Sequence, residues 1–329
     1  MSEDKTSGGE SMTSAEGTSP SQAPPETPHG GDRPNLGVRL LDAVRYGNTA
    51  VLTLLALLVA MAVGAVLIAV ADPATRTAAQ YFFSAPMDTL SAAAQAVGGG
   101  YAALFQGAIY NSATASKGTL AGVLGPISET LVNATPLILG GLSVGLAFRA
   151  GLFNIGGQGQ IIIGAIFAGY VGFAWHLPLG LHLIVGIIAG IVGGALWGGI
   201  AGFLKARTGA HEVITTIMLN YIAFNLLAFL LGLKGFQRPP YGQAISNVVD
   251  SNAQLPPLLG NGLRVHGGLF VALLAALGVW WLLSRSTLGF QLRAVGANQF
   301  AARTAGMSVE RSYTVVMLIA GGLSGLAGV

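Results

Sequence analysis

The sequence contains no cysteine, and only 9% of its 329 residues are charged. The missing thiols exclude disulfide bridges, cysteine-ligated zinc sites and thiol catalysis. The five histidines are scattered and form no HExxH or similar pair, so we expect no metal site. No GxxxxGK[ST] motif is present, which excludes a nucleotide-hydrolysing motor within this chain. We therefore expect neither an enzyme nor a resident cofactor.

The sequence instead contains several long runs of apolar residues. Hydrophobic residues make up 52% of the chain and the mean hydropathy is +0.65, whereas soluble domains carry about 25% charged residues. Several apolar runs reach the roughly 20 residues that a helix needs to cross a bilayer. These features predict an all-α fold, a polytopic transmembrane helix bundle. The net charge of +3 is too small to suggest nucleic acid as a partner.

Residues 1–48 are rich in Ser, Pro, Gly and Thr, and we expect a disordered tail. The remainder, residues 49–329, is predicted to form one transmembrane domain. Its last apolar run stops with the chain, so we expect that the sequence is truncated. The segment Leu90–Ile109 is moderately apolar and fits a surface helix, an interfacial helix or a weak span. The predicted spans are Thr49–Ala71, Pro126–Phe148, Leu152–Trp175, Leu179–Leu204, Val213–Leu233, Gly267–Leu283 and Tyr313–Val329.

The distribution of Lys and Arg predicts the orientation of these spans. With a cytoplasmic N-terminus and seven crossings, 11 of the 16 basic residues lie inside and five lie outside. Cytoplasmic loops of membrane proteins carry such an excess. The count favours a cytoplasmic tail and no crossing by Leu90–Ile109.

A break rich in glycine and amide side chains, Arg149–Gly164, separates two predicted spans. It contains Asn154, Gln158 and Gln160, with Gly151, Gly156, Gly157 and Gly159 between them. In membranes, broken helices expose backbone groups that must face protein or water rather than lipid. A short loop at the membrane surface is an equally good interpretation of the residues alone.

Polar residues also line the helix predicted to begin near Val213. Glu212, Thr216 and Asn220 are spaced four apart and therefore share one helix face. The stripe suits either a water-filled path or a structural ladder of hydrogen bonds between helices. Glu212 by itself is explained by the helix dipole, which favours an acid at the N-terminus. The second membrane-edge acid, Glu129, is interpreted as reaching water at the outer end of its span.

One predicted span carries glycines at every fourth position, which forms a smooth stripe. Such stripes let helix backbones approach closely, and the sequence does not distinguish packing within the chain from packing across a dimer. The stripe consists of Gly186, Gly190, Gly194, Gly198 and Gly202.

The segment Ser284–Ser312 joins the last two predicted spans and mixes basic with apolar residues. Asn298 is a predicted N-cap of a short helix that continues to about Ala305, and Gly306 is its predicted stop. A short, partly apolar helix between spans either docks into a groove on a soluble partner or lies along the headgroups.

Three stretches together resemble the permease subunits of ABC importers of the ribose, branched-chain amino acid and nucleoside type, the type II importers. They are GLFNIGGQGQIIIGA at 151–165, KARTGAHEVITTIMLNYIA at 205–223 and TLGFQLRAVGANQFAARTAGMSV at 287–309. The second stretch is similar to the nucleoside, simple-sugar-like branch. The resemblance covers about Pro126–Val329, with two departures: Gln158 stands where the family usually has Glu, and His211 where Asn is common.

The resemblance implies a permease domain in the cell inner membrane that pairs with a second permease subunit, identical or not. It also implies cytoplasmic ABC ATPase subunits as partners and an extracytoplasmic substrate-binding lipoprotein. The segment Asn298–Val309 would be the coupling helix. The residues implied for coupling to the ATPase are Arg293, which precedes this helix, and Asn298, Ala301, Ala302, Arg303 and Gly306 within it. The implied residues of the path or gate are Asn154, Gln158, Glu212, Thr216 and Asn220.

Three functions remain to be weighed. The first is an importer permease for a nucleoside or related polar solute. The second is an ion-coupled secondary transporter or channel in which His211 and Glu212 relay protons; such proteins often show matched broken helices in inverted repeats, and only one break is evident. The third is a membrane-embedded enzyme, which the lack of a catalytic constellation disfavours.

Overall fold

The computed structural model describes residues 49–260 and 262–329, so the predicted tail at 1–48 lies outside the described residues. The described part is helical, with two isolated β-bridges in the loop before α9 and no named strand. The helices are α1 Thr49–Ala71, α2 Pro73–Ala79, α3 Pro86–Ala108, α4 Ser112–Ala115, α5 Leu120–Arg149, α6 Gly157–Ala174, α7 Leu181–Thr208, α8 Glu212–Leu231, α9 Gly268–Arg285, α10 Thr287–Ala297, α11 Gln299–Thr304 and α12 Val309–Gly328.

Six of these helices are long and apolar enough to cross a membrane: α1, α5, α6, α7, α8 and α9. This confirms the predicted polytopic helical fold. The seventh predicted span, Tyr313–Val329, lies in α12, which is not among the six. Its first turn carries Glu310 and Arg311, so the helix is less apolar overall than the run of residues suggested.

All of the segment Leu90–Ile109 except its last residue belongs to α3, which is likewise not among the six helices long and apolar enough to cross a membrane. The chain divides into two compact units, Met1–Ala94 and Gln95–Val329, and the boundary falls within α3. All of the packing described below lies in the second unit.

Helix α5 starts six residues earlier than predicted, at Leu120 rather than at Pro126, because Pro126 does not interrupt it. Thr119 caps its N-terminus by accepting a hydrogen bond from the Gly122 backbone N–H. Pro126 has no N–H to bond to the carbonyl of Gly122. The Thr114 hydroxyl donates to that carbonyl instead, at 2.8 Å, so the helix continues through the proline with its backbone satisfied.

The core of the second unit is the contact between α7 and α12, with α5 and α6 packed around it. The glycine stripe of α7 faces glycines of α12. A Cβ placed on Gly194 would lie 2.5 Å from the Cα of Gly325, and one on Gly198 would lie 2.9 Å from the Cα of Gly321. Real Cβ atoms do not approach backbone so closely, so glycine is what allows the two helices to touch. The close approach therefore lies within this chain at these positions.

Gly186 differs from the other glycines of the stripe. A Cβ placed on it meets nothing within 4 Å, whereas one on Gly190 would collide with the Val329 side chain and one on Gly202 would lie 2.7 Å from the Cβ of Met317. The tight contact thus begins one turn further along α7 than the sequence pattern does.

Candidate functional site

The predicted break is a real interruption between two helices. Helix α5 ends at Arg149 and α6 begins at Gly157, five residues later than the predicted start at Leu152. Gly151 has φ +75°, a conformation that L side chains rarely adopt, and its backbone packs against Gly296 of α10. A Cβ on Gly151 would lie 3.3 Å from the Cα of Gly296. The glycines therefore turn the chain and let it contact α10.

Buried polar side chains hold the break in place. The side chains of Asn154 and Gln160 bond to each other twice: the Gln160 amide donates to Asn154 Oδ1 at 2.9 Å, and the Asn154 amide donates to Gln160 Oε1 at 3.0 Å. Asn154 also donates to the Ser143 hydroxyl at 3.1 Å, and so does Ser324 at 2.9 Å. We call these four residues the amide–serine cluster.

The amide–serine cluster joins three helices and the break in a wholly protein-lined interior. Each of its four side chains is at most 3% exposed. Ser143 of α5 donates to the backbone carbonyl of Ala320 on α12, at 2.6 Å. Buried polar groups are costly unless they are bonded, and a fully bonded network specifies one arrangement. The break is therefore packed against the surrounding helices, and its buried side chains have hydrogen-bond partners within the protein.

Ser143 lies in the stretch GLSVG at 141–145, which matches the GxSxG pattern of esterase nucleophiles. That pattern carries a nucleophile only on a strand–turn–helix elbow, where the hydroxyl is exposed. Here the stretch is inside α5 and the serine is fully buried with its hydroxyl bonded. The match has no catalytic meaning.

Asn220 of α8 caps the start of α6 from outside. Its Oδ1 accepts from the backbone N–H of Gly159 at 2.8 Å, and its Nδ2 donates to the carbonyl of Ile155 at 3.0 Å. The first N–H groups of a helix lack partners within it, and no side chain of the α6 N-cap residue, Gly156, supplies one. Asn220 thus replaces a local cap and ties α8 to the break.

We expect Asn220→Leu to destabilise the protein by about 2–4 kcal/mol, because it leaves two backbone groups without partners. The matched control is Asn225→Leu, whose exposed amide bonds only to the Tyr221 carbonyl of its own helix; we expect a change within about 0.5 kcal/mol. Thermal unfolding in detergent measures both. Equal midpoints for the two variants would contradict the capping role of Asn220.

The other two residues of the α8 stripe also have partners within the protein. Glu212 accepts from the ammonium of Lys205 at 2.9 Å, which links the last turn of α7 to the first turn of α8. Thr216 is 1% exposed and its hydroxyl donates to the Glu212 carbonyl at 2.8 Å. Glu212 and Asn220 thus bond to neighbouring elements, as a structural ladder requires, whereas the Thr216 hydroxyl bonds within its own helix.

Gln158, at the position where the resemblance leads us to expect Glu, is exposed and stands outside the amide–serine cluster. The residues that sequence reasoning left out of the site are Gln160, Ser143 and Ser324. A signal for the two serines was present, since small polar residues within apolar spans often bond across helices. Nothing in the spacing distinguished Gln160 from Gln158, because only the fold decides which amide points inward.

The segment between α9 and α12 contains two helices rather than the one predicted. The predicted short helix is present as α11, Gln299–Thr304, and Asn298 caps it by accepting from the N–H groups of Phe300 and Ala301 at 3.0 and 3.1 Å. Gly306 follows with φ +80°. The expected extent Asn298–Val309 is too long, since Val309 already begins α12, and α10 was not predicted.

The two faces of α11 differ in exposure. Ala302 is 4% exposed and packs in a small cluster with Val295 and Val309, whereas Phe300 is 73% exposed. Arg303 forms an ion pair with Glu310, and Arg293 and Ala301 are exposed. Of the predicted coupling residues, Ala302 is therefore buried and Gly306 makes the turn that follows α11, while Phe300, which was not among them, is an exposed aromatic side chain on the same helix.

Helix α11 is attached to α12 and lies close to the break. Tyr313 of α12 donates to Gln299 Oε1 at 3.0 Å, in addition to the Arg303–Glu310 pair. A polar cavity of about 430 Å³ lies between the α10–α11 segment, the start of α12 and the break. Its lining includes Gly151, Lys205, Glu212, Gln299 and Tyr313. The break, the α7–α8 turn and the α10–α11 segment therefore share one end of the unit.

Comparison with known proteins identifies the family. Residues 126–329 match the family described as the branched-chain amino acid transport system / permease component. The chain is 39% identical over 232 residues to the guanosine ABC transporter permease protein of Bacillus subtilis. The aligned region covers 70% of this chain and 63% of the relative. The chain is 36% identical over 212 residues to the nucleoside ABC transporter permease protein of Lactococcus lactis, with 62% and 58% covered.

A third relative is the glucose ABC transporter permease protein of Haloferax volcanii, 36% identical over 217 residues, with 62% of this chain and 56% of that one covered. The chain thus spans less than two thirds of the length of these curated relatives. No solved structure matches it significantly. The family match covers more than half of the chain and includes the break, α8 and the α10–α11 segment. This multi-pass membrane protein therefore belongs to the branched-chain amino acid transport system / permease component family.

Proposed function

We propose that this chain is a membrane-spanning permease subunit of an ATP-driven ABC importer and that it carries a nucleoside or a related polar solute. The observation that carries the proposal is the family match over residues 126–329. The relatives named for guanosine, nucleosides and glucose support a small polyhydroxylated solute. Energy would come from separate ATPase subunits, since the chain has no phosphate-binding loop motif.

The proposal includes an orientation with a cytoplasmic N-terminus and three kinds of partner. A second permease subunit would complete the path, an extracytoplasmic binding protein would deliver the solute, and ATPase subunits would bind α11. The exposed Phe300 and the basic residues of the α10–α11 segment support a docking role, because aromatic side chains often anchor protein interfaces. The attachment of α11 to α12, and of α12 to the amide–serine cluster, supports transmission of ATPase motion to the break.

The decisive experiment is uptake by proteoliposomes that contain this permease with its ATPase and second permease subunit. With the binding protein outside, labelled nucleosides should accumulate only when ATP is supplied on the ATPase side. Uptake that needs no ATP and collapses when an ionophore removes the ion gradient would instead establish an ion-coupled transporter.

Replacing Glu212 tests whether the α8 stripe lines the path. Because Glu212 is already paired with Lys205 at 2.9 Å, we expect Glu212→Gln to keep the solute KM within about twofold of the original, since the amide can still accept from Lys205. The measurement is the dependence of uptake rate on solute concentration, with Lys205→Met as the companion variant that breaks the pair from the other side. A large KM change specific to Glu212→Gln would place its side chain in the path.

A further inference from the structure

Helix α8 has two faces of opposite character. On one face Thr216 and Ala223 are 1% and 0% exposed, and Thr216 packs against the break, where a Cβ placed on Gly156 would lie 3.0 Å from the Thr216 Cβ. On the other face, positions spaced alternately four and three apart share one side of the helix, and all of them are exposed. They are Ile214, Met218, Tyr221, Asn225 and Ala228. We call this the open face of α8.

Two polar side chains lie at the centre of the open face. Tyr221 stands half-way along the 20 residues of α8 and is 69% exposed, and Asn225 follows one turn later. A helix rises about 1.5 Å per residue, so α8 matches the thickness of a bilayer core and both side chains lie deep within it. Among residues 49–260 and 262–329 the Tyr221 hydroxyl has no hydrogen-bond partner, and the Asn225 amide bonds only to the Tyr221 carbonyl, at 2.8 Å.

The open face is poorly suited to contact with lipid. The hydrocarbon core offers no hydrogen bonds, so an unbonded hydroxyl or amide is costly there. Helix α1, wherever it lies, could not satisfy the pair, because its only polar side chains are Thr49 and Thr53, both near its start. The open face therefore meets water or a polar partner in the middle of the membrane.

The size of its residues also distinguishes the open face from a surface for helix packing. Close contacts between membrane helices use small residues, as Gly194 and Gly198 do where α7 touches α12. On the open face only Ala228 is small, and the other side chains are long or aromatic. Such a face keeps a neighbouring helix at a distance and leaves room for water or a solute.

The chemistry of the pair indicates which solute fits. Nucleobases stack on aromatic rings, and the Asn225 side chain keeps an N–H and its carbonyl oxygen free for the edge of a base or for sugar hydroxyls. Neither side chain is charged, which suits a neutral solute. We infer that the open face of α8 lines the solute path and that Tyr221 and Asn225 contact the nucleoside as it crosses the membrane. The inference rests on the proposed import of nucleosides and places the contact on the side of α8 opposite to Thr216.

The lack of cysteine allows a direct test with single-cysteine variants in proteoliposomes that contain the complete importer. Tyr221→Cys and Asn225→Cys probe the open face. The matched control is Leu277→Cys, which is likewise half-way along a span, α9, and 60% exposed. Each variant is treated with a charged methanethiosulfonate, which reacts with thiolates in water, with and without guanosine. The mass of this chain reports the labelling.

We expect the cysteines at 221 and 225 to react at least about tenfold faster than the one at 277, because a thiol in lipid does not ionise, and guanosine to slow both reactions. Equally slow reaction at all three positions would overturn the inference, because the open face would lie against lipid or protein. Fast reaction that guanosine does not slow, in vesicles that import guanosine, would overturn it as well. Uptake by the cysteine-free chain is measured alongside: ATP-driven uptake with unreactive thiols would overturn the role of α8 and leave the proposed function intact.

Uptake by variants of Tyr221 gives a second readout. Tyr221→Leu should lower nucleoside uptake about tenfold, because it removes the ring on which a base stacks, whereas Tyr221→Phe keeps the ring and should retain most of the uptake. Both variants should keep the unfolding midpoint, since the side chain is 69% exposed. Equal uptake by Tyr221→Leu and the original chain would contradict contact between the ring and the solute.

Discussion

Gly194→Ala is expected to destabilise the protein by about 3 kcal/mol and to reduce the amount of folded permease sharply, because added volume in a close-packed contact forces the backbone apart. The new methyl group would meet the backbone of α12, at 2.5 Å from Gly325 Cα. The atoms that the methyl group would meet belong to the backbone of Gly321 and Gly325, so no flexible side chain could move aside. Thermal unfolding followed by size-exclusion chromatography in detergent measures the loss.

The control for Gly194→Ala is the same change at Gly186, on the same stripe. A Cβ there meets nothing within 4 Å, and alanine favours a helix over glycine by up to about 1 kcal/mol. We therefore expect Gly186→Ala to be neutral or slightly stabilising. If both variants lost stability equally, the stripe would be sensitive to helix flexibility rather than to the contact with α12.

Phe300→Asp is expected to lower ATP-driven uptake at least about tenfold, while leaving the unfolding midpoint unchanged, because interface anchors contribute 2 kcal/mol or more to binding. Phe300 is 73% exposed and makes no core contact that would be lost. The conservative variant Phe300→Tyr keeps the ring and should retain uptake. Binding of the ATPase subunits to detergent-solubilised permease reports the docking step separately from transport. Unimpaired uptake by Phe300→Asp would remove α11 from the proposed ATPase interface.

A charge at Ala302 is expected to act differently from one at Phe300. Ala302 is 4% exposed among Val295 and Val309, so a carboxylate there would be buried without a partner and would destabilise the segment. Ala302→Asp should therefore lower the unfolding midpoint as well as uptake. Sequence analysis places Ala302 in the coupling helix, but its burial makes it unsuitable for a variant that is meant to disturb only docking.

Much of the architecture was predictable from the sequence because local signals decide it. Apolar length fixes the spans, and Asn298 and Gly306 mark the ends of α11 through their own backbone chemistry. The start of α5 was misjudged because a proline usually ends a helix, and Thr114 supplies the missing hydrogen bond from a separate turn. Such compensation depends on tertiary contact, which no local pattern contains.

The candidate site was less predictable, for the same reason. The sequence drew attention to Asn154 and Asn220, and both side chains lie at the break. It could not choose Gln160 over Gln158, nor recognise that Ser143 and Ser324 meet. Two residues in the same break differ in role only because one side chain points between helices and the other points outward. The orientation of a side chain at a helix start is set by packing, not by residue type.

The amide–serine cluster also has a consequence for assembly in the membrane. Ser143 bonds to the carbonyl of Ala320, 177 residues further along the chain. Helices α5 to α9 are therefore synthesised before their central partner exists, and the hydroxyl and amides of the cluster are incomplete until α12 arrives. Membrane helices insert first and associate afterwards, and long-range contacts form late. Helix α12, which is made after α5 and α6, thus completes the hydrogen bonds of the amide–serine cluster.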